Sequence, residues 1–493
     1  VANLSNKHDS ILIERMSDGR MRRLVSLVDR GVQDDYFYPE DSTQTVFQPK
    51  FIPYHNFAQE TVEMPYTGSA DWGQRITFTL PFPWTGDCLS WVALRITPES
   101  WLPGEVTNGL LNGIPYQWAY DDISSAWTWA NSLATNAIEL IEMEVNGIVI
   151  EKWSGDWMDV WHKMCLDPSR GGGWRDSIYG AEDLKDPIRT FLPTEDGSVY
   201  AYFPFWFARR RNAAFPLISV QGEGNVRFHI TIRKFENMIR KVGLRRNCDE
   251  TMLNKQITFN DRRVAFPLKH TFTMEGVPPK LKNAILVCGF VHIDGNLRSA
   301  YIHREHEIFT EPVINIPFAE PLKYVIGPSD KDQILVSLPL EAANGPIRQI
   351  VWFLRRKENW RFNSWTNYGA YLEDEIIPIY KPQRPLLKKA TLRVGTVIWA
   401  EQDEFWWRYR GALQNPGETQ LLDSYIYAYS FASDPTKFSP TGSVNASRAG
   451  LRLDLVVSQP EDVDNREWEV QVFVLSHNWI RFQNGIAERL FAD

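Results

Sequence analysis

The string HREHE brings His303, His306 and Glu307 close together, residue types that bind zinc. A zinc hydrolase needs HExxH on a helix, so that both histidines share one face and the glutamate acts as base. Here the order differs, and the surrounding text reads as the end of a strand, where positions three apart face opposite sides. A cupin-like site needs two histidines at a spacing of two, which this string also lacks. Carboxylates cluster at Glu373, Asp374 and Glu375 and again at Glu401, Asp403 and Glu404. Glycoside hydrolysis uses two carboxylates at a set separation, one of them with a raised pKa. Chain spacing fixes neither property, and acid-rich loops are mostly solvated. Gly222-x-Gly224 lacks the third glycine and the following helix of a dinucleotide site. No G-x-S-x-G, phosphate loop or Cys/His nucleophile pattern occurs. The residues predict no enzyme, no cofactor and no metal.

Basic residues gather at Arg209, Arg210 and Arg211 and at Arg233, Lys234, Arg240, Lys241, Arg245 and Arg246. They serve either as solvated loops and ion pairs or as contacts with an acidic partner or anionic surface. Arg240, Lys241, Arg245 and Arg246 are the candidates for such contacts. The net charge of −8 over 493 residues argues against broad contact with nucleic acid, because coating phosphates needs a basic surface. Cys88, Cys165, Cys248 and Cys288 form no CxxC pair, and Cys88 and Cys288 sit in apolar strand-like runs where a free buried thiol is expected. VANLSNKHDS has no signal-peptide core, and no apolar run reaches the ~20 residues of a membrane span. The chain is expected in a reduced, cytosol-like compartment, with any membrane association made through a partner.

The elements that carry these residues are mostly strands. Ile76, Phe78 and Leu80 alternate with Thr77 and Thr79, and LSWVALRITPE follows as a second strand. Residues 137–155 read as a hairpin about Asn146-Gly147, a pair that favours a type I′ turn because both residues accept positive φ. WMDVWHKMCL (157–166) has the spacing of a short amphipathic helix. Residues 197–234 supply two or three more strands, and 235–256 are polar and poorly periodic, as a linker would be. Beyond them AILVCGFVHID, EIFTEPVINI, DQILVSLPL, IRQIVWFLRR and EWEVQVFVLSHNWIRFQNG are strand-like, whereas 99–136, 355–395 and 400–423 read as long Trp- and Tyr-rich loops. Many short strands with few helices point to β-sandwiches, without choosing between jelly-roll and immunoglobulin-like winding.

In 424–457, Tyr425, Tyr427, Tyr429 and Phe431 alternate along one strand, a Pro- and Gly-containing turn follows, and Leu451, Leu453 and Leu455 line another. The string SFASDPTKFSPTGSVNASR (430–448) resembles the C-terminal signature of the major capsid proteins of nucleocytoplasmic large DNA viruses. Further blocks carry the likeness: Gly31, Gln33 and Asp34; His55, Asn56, Phe57, Ala58 and Glu60; IEKWSGDWMDVW at 150–161; and PFWF with Asn212 and PLI at 204–218. Val444, Ala446 and Ala449-Gly450 depart from the family, which often has Cys, an aromatic residue and Ile-Asp there, so a minor capsid-like paralogue stays open.

The resemblance implies an all-β fold of two tandem jelly-roll sandwiches with long loops and few short helices. The expected division is an arm at 1–50, domains at 51–236 and 257–484 with a linker at 237–256, and a tail at 485–493. It further implies a homotrimer that forms a pseudo-hexagonal capsomer of an icosahedral shell. Minor capsid proteins, a penton protein and, through these, an inner viral membrane would be the partners, with no sequence-specific nucleic-acid binding. The protein would be made in the host cytoplasm and reside in the virion. Asn445-Ala-Ser447 and Asn3-Leu-Ser5 have acceptor spacing for a glycan, with Asn445 the candidate; the secretory pathway would not reach it, but the family has routes of its own. Outside the family, a carbohydrate-binding jelly roll using Trp406 or Trp407, and more weakly a nucleic-acid binder, are the rival readings.

Overall fold

A computed structural model describes residues 55–99, 109–111, 114–116, 125–165, 177–178, 197–209, 213–222, 224–244, 263–266, 280–318, 323–325, 333–343, 345–371, 383–415, 424–437, 439–458 and 468–491. The first half supplies β1 Phe57–Met64, β2 Arg75–Thr79, β3 Cys88–Pro98, β4 Ile138–Val145, β5 Ile148–Ser154, β6 Val199–Tyr202, β7 Phe215–Pro216 and β8 Val226–Ile232. β9, Leu281–Ile293, follows. β1, β9, β3 and β7 are neighbours in one sheet, with β6 also on β3; β2, β8, β4 and β5 are neighbours in the other. Apart from the β4–β5 and β6–β7 pairs, sequential strands alternate between two facing sheets, which is jelly-roll winding.

The second half repeats it. β10 Val313–Phe318, β11 Gln333–Pro339, β12 Pro346–Arg356, β13 Leu387–Val394, β14 Val397–Asp403, β15 Ile426–Ser430, β16 Leu451–Ser458 and β17 Trp468–Ser476 follow in order. β10, β17, β12 and β15 form one layer, and β11, β16, β13 and β14 the other. The fold is the expected double jelly roll. β5 also pairs in parallel with β10 at Lys152 and Ile314, which joins a layer of each sandwich into one 9-stranded sheet.

The change from one sandwich to the next falls elsewhere than the sequence suggests. β9 lies between β1 and β3 in the first sandwich, although it comes after the expected linker at 237–256. Part of that expected linker, Ile239–Leu244, is a strand paired with Ser125–Trp129 and Arg263–Phe266. Its polar sequence hides a strand because only a small sheet of insertions receives it. The two expected loops at 355–395 and 400–423 contain β13, the second half of β14 and the helix α3, Glu404–Gln414. Within the expected tail, Ile486–Arg489 pairs with Asn478–Gln483.

Local chemistry explains several elements directly. Asn146 and Gly147 have φ of 52° and 79°, so the expected type I′ turn closes the β4–β5 hairpin. Ile76 and Phe78 on β2, Phe228 and Ile230 on β8, and Ile141 and Met143 on β4 are fully buried between the layers. Leu451, Leu453 and Leu455 fill the second core, as their alternation predicts. The signature strands do not pair with each other: β15 pairs with β12, and β16 with β11 and β13. Cys88 and Cys288 are free and buried, and burial pushes both thiols up to about 12, so neither is a thiolate at neutral pH.

Candidate functional site at the junction of the sandwiches

The densest set of buried charges in the described residues lies where the two sandwiches meet. Its first member comes from α1, Gly155–Cys165, which starts directly after β5. The helix begins at a glycine because a Cβ there would lie 1.9 Å from the Ile138 carbonyl oxygen, so only Gly155 lets the helix approach β4 so closely. Asp156, Trp157, Asp159, Val160, His162 and Met164 are all buried. Two carboxylates on a buried helix demand partners, and the other sandwich supplies one to each.

Arg355 of β12 makes a two-pronged contact with Asp156, at 2.9 and 3.2 Å, and its Nε donates to Glu469 of β17 at 2.6 Å. Nη1 also donates to the Trp365 carbonyl at 2.8 Å. Burial would raise the Asp156 carboxyl, but Arg355 and Arg233 outweigh it and hold the group below the ordinary carboxylate range. The Tyr368 hydroxyl donates to Asp159 at 2.6 Å, and Lys163 pairs with Asp159 at 3.0 Å. Trp157 packs on Phe473 with ring centroids 5.1 Å apart. His162 is buried, and desolvation lowers its pKa to about 3, so the ring is neutral.

A second cluster sits beside the β5–β10 pairing. Glu151 on β5 is fully buried and accepts from the Val313 amide of β10 at 3.2 Å and the Trp206 amide at 3.3 Å. Arg209 lies 3.8 Å away and also donates to the Glu311 carbonyl. Burial wins here and raises the Glu151 carboxyl to about 7. Glu311 in turn pairs with Arg348 at 2.7 Å. At the rim, Asn363 donates to the carbonyls of Glu236 and Ile239 at 2.7 and 2.6 Å, and the Arg233 guanidinium lies 4.2 Å over the Trp365 ring. Chemically the arrangement clamps; it presents no carboxylate pair or nucleophile to solvent.

The residues singled out from sequence scatter. His303 ends α2, Gly295–His303, and is exposed. His306 starts the next strand, Glu307 pairs with Arg481 at 2.7 Å, and His306 stacks on Phe482 at 4.9 Å. A helix end thus replaces the expected strand end. Among the described residues no group of His, Cys, Asp and Glu could hold a metal. Glu401 pairs with Lys389, Asp403 caps the helix Glu404–Gln414 by accepting from the Trp406 amide at 3.0 Å, and Glu404 pairs with Arg408 at 3.1 Å. Trp407 is buried and donates to the Ala390 and Gln402 carbonyls at 3.1 and 3.2 Å, so its face is closed to a sugar ring.

Of the basic candidates, Arg240 is 1% exposed and therefore no surface contact. It is drawn inside by the strand that the sequence did not disclose. Lys241 lies on the same strand, while Arg245, Arg246, Arg210, Arg211, Cys248 and the Glu373–Glu375 cluster lie outside the described residues. Arg209 and Arg233, read as loop charges, are also internal. Asn445 is part-exposed and caps a short helix, its Oδ1 accepting from the Arg448 amide at 3.1 Å. The junction itself was missed from sequence, though Asp156 and Asp159 on the apolar side of a helix were a signal for it.

Comparison with known proteins agrees with this architecture. Residues 45–258 match the family model described as major capsid protein N-terminus. The chain is 26% identical over 378 residues to a major capsid protein of Chrysochromulina ericina virus, covering 68% of this chain and 58% of that protein's length. It is 22% identical over 485 residues to that of Pyramimonas orientalis virus, covering 95% and 99%. The quasi-atomic model of the PBCV-1 virus capsid superposes with a TM-score of 0.64 at 15% identity, covering 91% of this chain and all of that one. In sequence and in fold the chain is similar to the major capsid proteins of large DNA viruses.

Proposed function

We propose that this chain is the structural subunit of an icosahedral capsid shell, three copies forming a pseudo-hexagonal capsomer. Its work is assembly rather than catalysis, and its place is the virion. The observation that carries the reading is the sealed junction. A shared sheet through Lys152 and Ile314 and the buried Asp156–Arg355–Glu469 cluster make two sandwiches one stiff block. A lattice needs such blocks, because flexible joints would spread the angles between neighbouring units.

Further partners follow the same reading. Minor capsid and penton proteins would meet the capsomer's rim, and a membrane would be reached through them. Lys241, Arg245 and Arg246 remain the candidates for basic contacts with an inner acidic partner, and Asn445 for glycan attachment. Light scattering after size exclusion tests the core of the proposal. Three chains of 57.1 kDa in one stable particle support it; a monomer at every concentration overturns it.

A further inference from the structure

After β17 has completed the second sandwich, the chain runs back to the first. Asn478–Gln483 and Ile486–Arg489 form a hairpin, and its first strand pairs with His306–Thr310 in a small three-stranded sheet of its own. Its turn, Asn484-Gly485, has φ of 52° and 78°, the same kind of turn as Asn146-Gly147. The hairpin is fastened to the first sandwich at several points. The Ala487 amide donates to Asn146 Oδ1 at 3.0 Å, the Gln221 amide donates to the Gly485 carbonyl at 2.9 Å, and Arg489 donates to the Ile150 carbonyl of β5. A Cβ on Gly485 would lie 2.8 Å from the Gln221 side chain, so glycine lets the turn settle on the loop before β8. Phe482 packs against Phe215 of β7, with ring centroids 5.6 Å apart.

These attachments fall on the strand that joins the two sandwiches. Among the described residues β10 reaches β5 at Lys152 alone, so the start of β5 has no neighbouring strand on that edge. Ile148 and Val149 there are 49% and 38% exposed. Asn146 and Ile150, on either side of them, are the residues that the hairpin holds. Its charge also reaches the next position: burial raises the Glu151 carboxyl, and Arg489 acts against that rise. The hairpin itself is lightly anchored. Ile480, Phe482 and Ala487 are buried, whereas Trp479, Ile486 and Phe491 face water. So small an apolar base, set on a few bonds, marks a unit that opens before the core does.

We propose that residues 478–491 are a strap that opens and closes as one unit, and that its closure stiffens β5 and so completes the junction between the sandwiches. The inference rests on the capsomer reading and adds a step to it. The strap follows both sandwiches in the chain, and its bonds to the first span 341 and 339 positions. Its seats at Asn146, Ile150, Gln221 and the strand His306–Thr310 exist only once both sandwiches have formed. Contacts of such long range form late, because the chain must be ordered before they repay it. The order is therefore folding, strapping, then assembly, and a subunit with an open strap has too loose a joint to fit its neighbours.

The test uses the full chain and two variants that loosen the strap from opposite sides. Asn146→Gly with Arg489→Ala removes two attachments and leaves the positive φ of the first turn unstrained. Gly485→Val touches nothing on β5 but forces a side chain onto Gln221 at φ of 78°. In both, amide hydrogen exchange should speed at least about 10-fold in 478–489 and in 148–152 together, with 226–232 and 451–458 still protected. The three-chain particle of either variant should dissociate at a concentration at least about 10-fold above that of the wild type. No change in exchange, a rise confined to 478–489 with Gly485→Val, or a rise throughout both sandwiches overturns the proposal. So do particles as tight as those of the wild type despite a loosened strap. A monomeric wild type sinks the capsomer reading instead, and the exchange result still decides whether the strap stiffens β5.

Discussion

α1 and α3 occupy the same place in their sandwiches and have the same length, yet one is buried and the other is bare along one face. α1 carries Asp156, Asp159 and Lys163 and is buried; α3 carries Phe405, Tyr409 and Leu413 and faces water. The difference teaches what a buried contact demands. Inside one chain the partner is always present, so a helix can bring carboxylates into a dry junction where Arg355 and Tyr368 wait in fixed positions. Buried pairs of this kind add little net stability over apolar packing, but they punish any misaligned docking, because a displaced charge stays unpaired.

The largest way to break this comparison is at the junction. Asp156→Ala leaves Arg355 buried with less compensation, and should cost about 3–5 kcal/mol in denaturant unfolding. Arg355→Met together with Asp156→Leu should recover most of the loss, which distinguishes an uncompensated charge from lost contacts. If Asp156→Ala costs under about 1 kcal/mol, the junction is not the clamp described.

Glu151 sharpens the same point through pH. Its folded carboxyl is raised from 4.5 to about 7, so the folded state holds the proton more tightly than the unfolded chain. Stability is therefore full below the ordinary carboxylate value and falls as pH rises through about 7, by an amount on the order of 3 kcal/mol. Asp156 has the opposite sign: its lowered pKa supplies stability that is lost only as pH falls below the ordinary carboxylate range. Glu151→Gln should flatten the unfolding free energy between about pH 5 and pH 7.5. An unchanged slope would remove Glu151 as its source.

Gly155→Ala should cost about 1–3 kcal/mol, since the new methyl meets the Ile138 carbonyl oxygen and the helix must shift. Its counterpart in α3, Glu404, already bears a side chain, so α3 does not depend on that approach. The smallest effect belongs to the outer helix. Phe405→Ser should change subunit stability by no more than about 0.5 kcal/mol. A large thermal shift would mean that Phe405 packs within its own chain.

Much of the architecture was legible in the chain. Asn146-Gly147 fixed a hairpin because few residue pairs accept two positive φ values. The Leu451, Leu453 and Leu455 alternation marked a half-buried strand, and the 430–448 string carried the family likeness. In the acid cluster, Glu401 makes a strand ion pair, Asp403 caps a helix and Glu404 makes a helix salt bridge.

Local pattern failed where partners are distant. α3 looked like loop because its Trp and Tyr content masks periodicity, and β14 has no buried face to produce alternation. Arg240 looked solvated because charge in a polar run usually is, whereas a strand from an insertion encloses it.

The sequence by itself determined the strand-rich class, the turns and the two cores, since these depend on side-chain period and on φ preferences over a few residues. Tertiary structure alone decided that β9 closes the first sandwich from beyond the polar stretch, that Asp156 meets Arg355, and that one of two matched helices is sealed while the other is bare. These depend on which surfaces meet across more than a hundred residues of chain. Coulombic and packing energies act through space, and no local period records them.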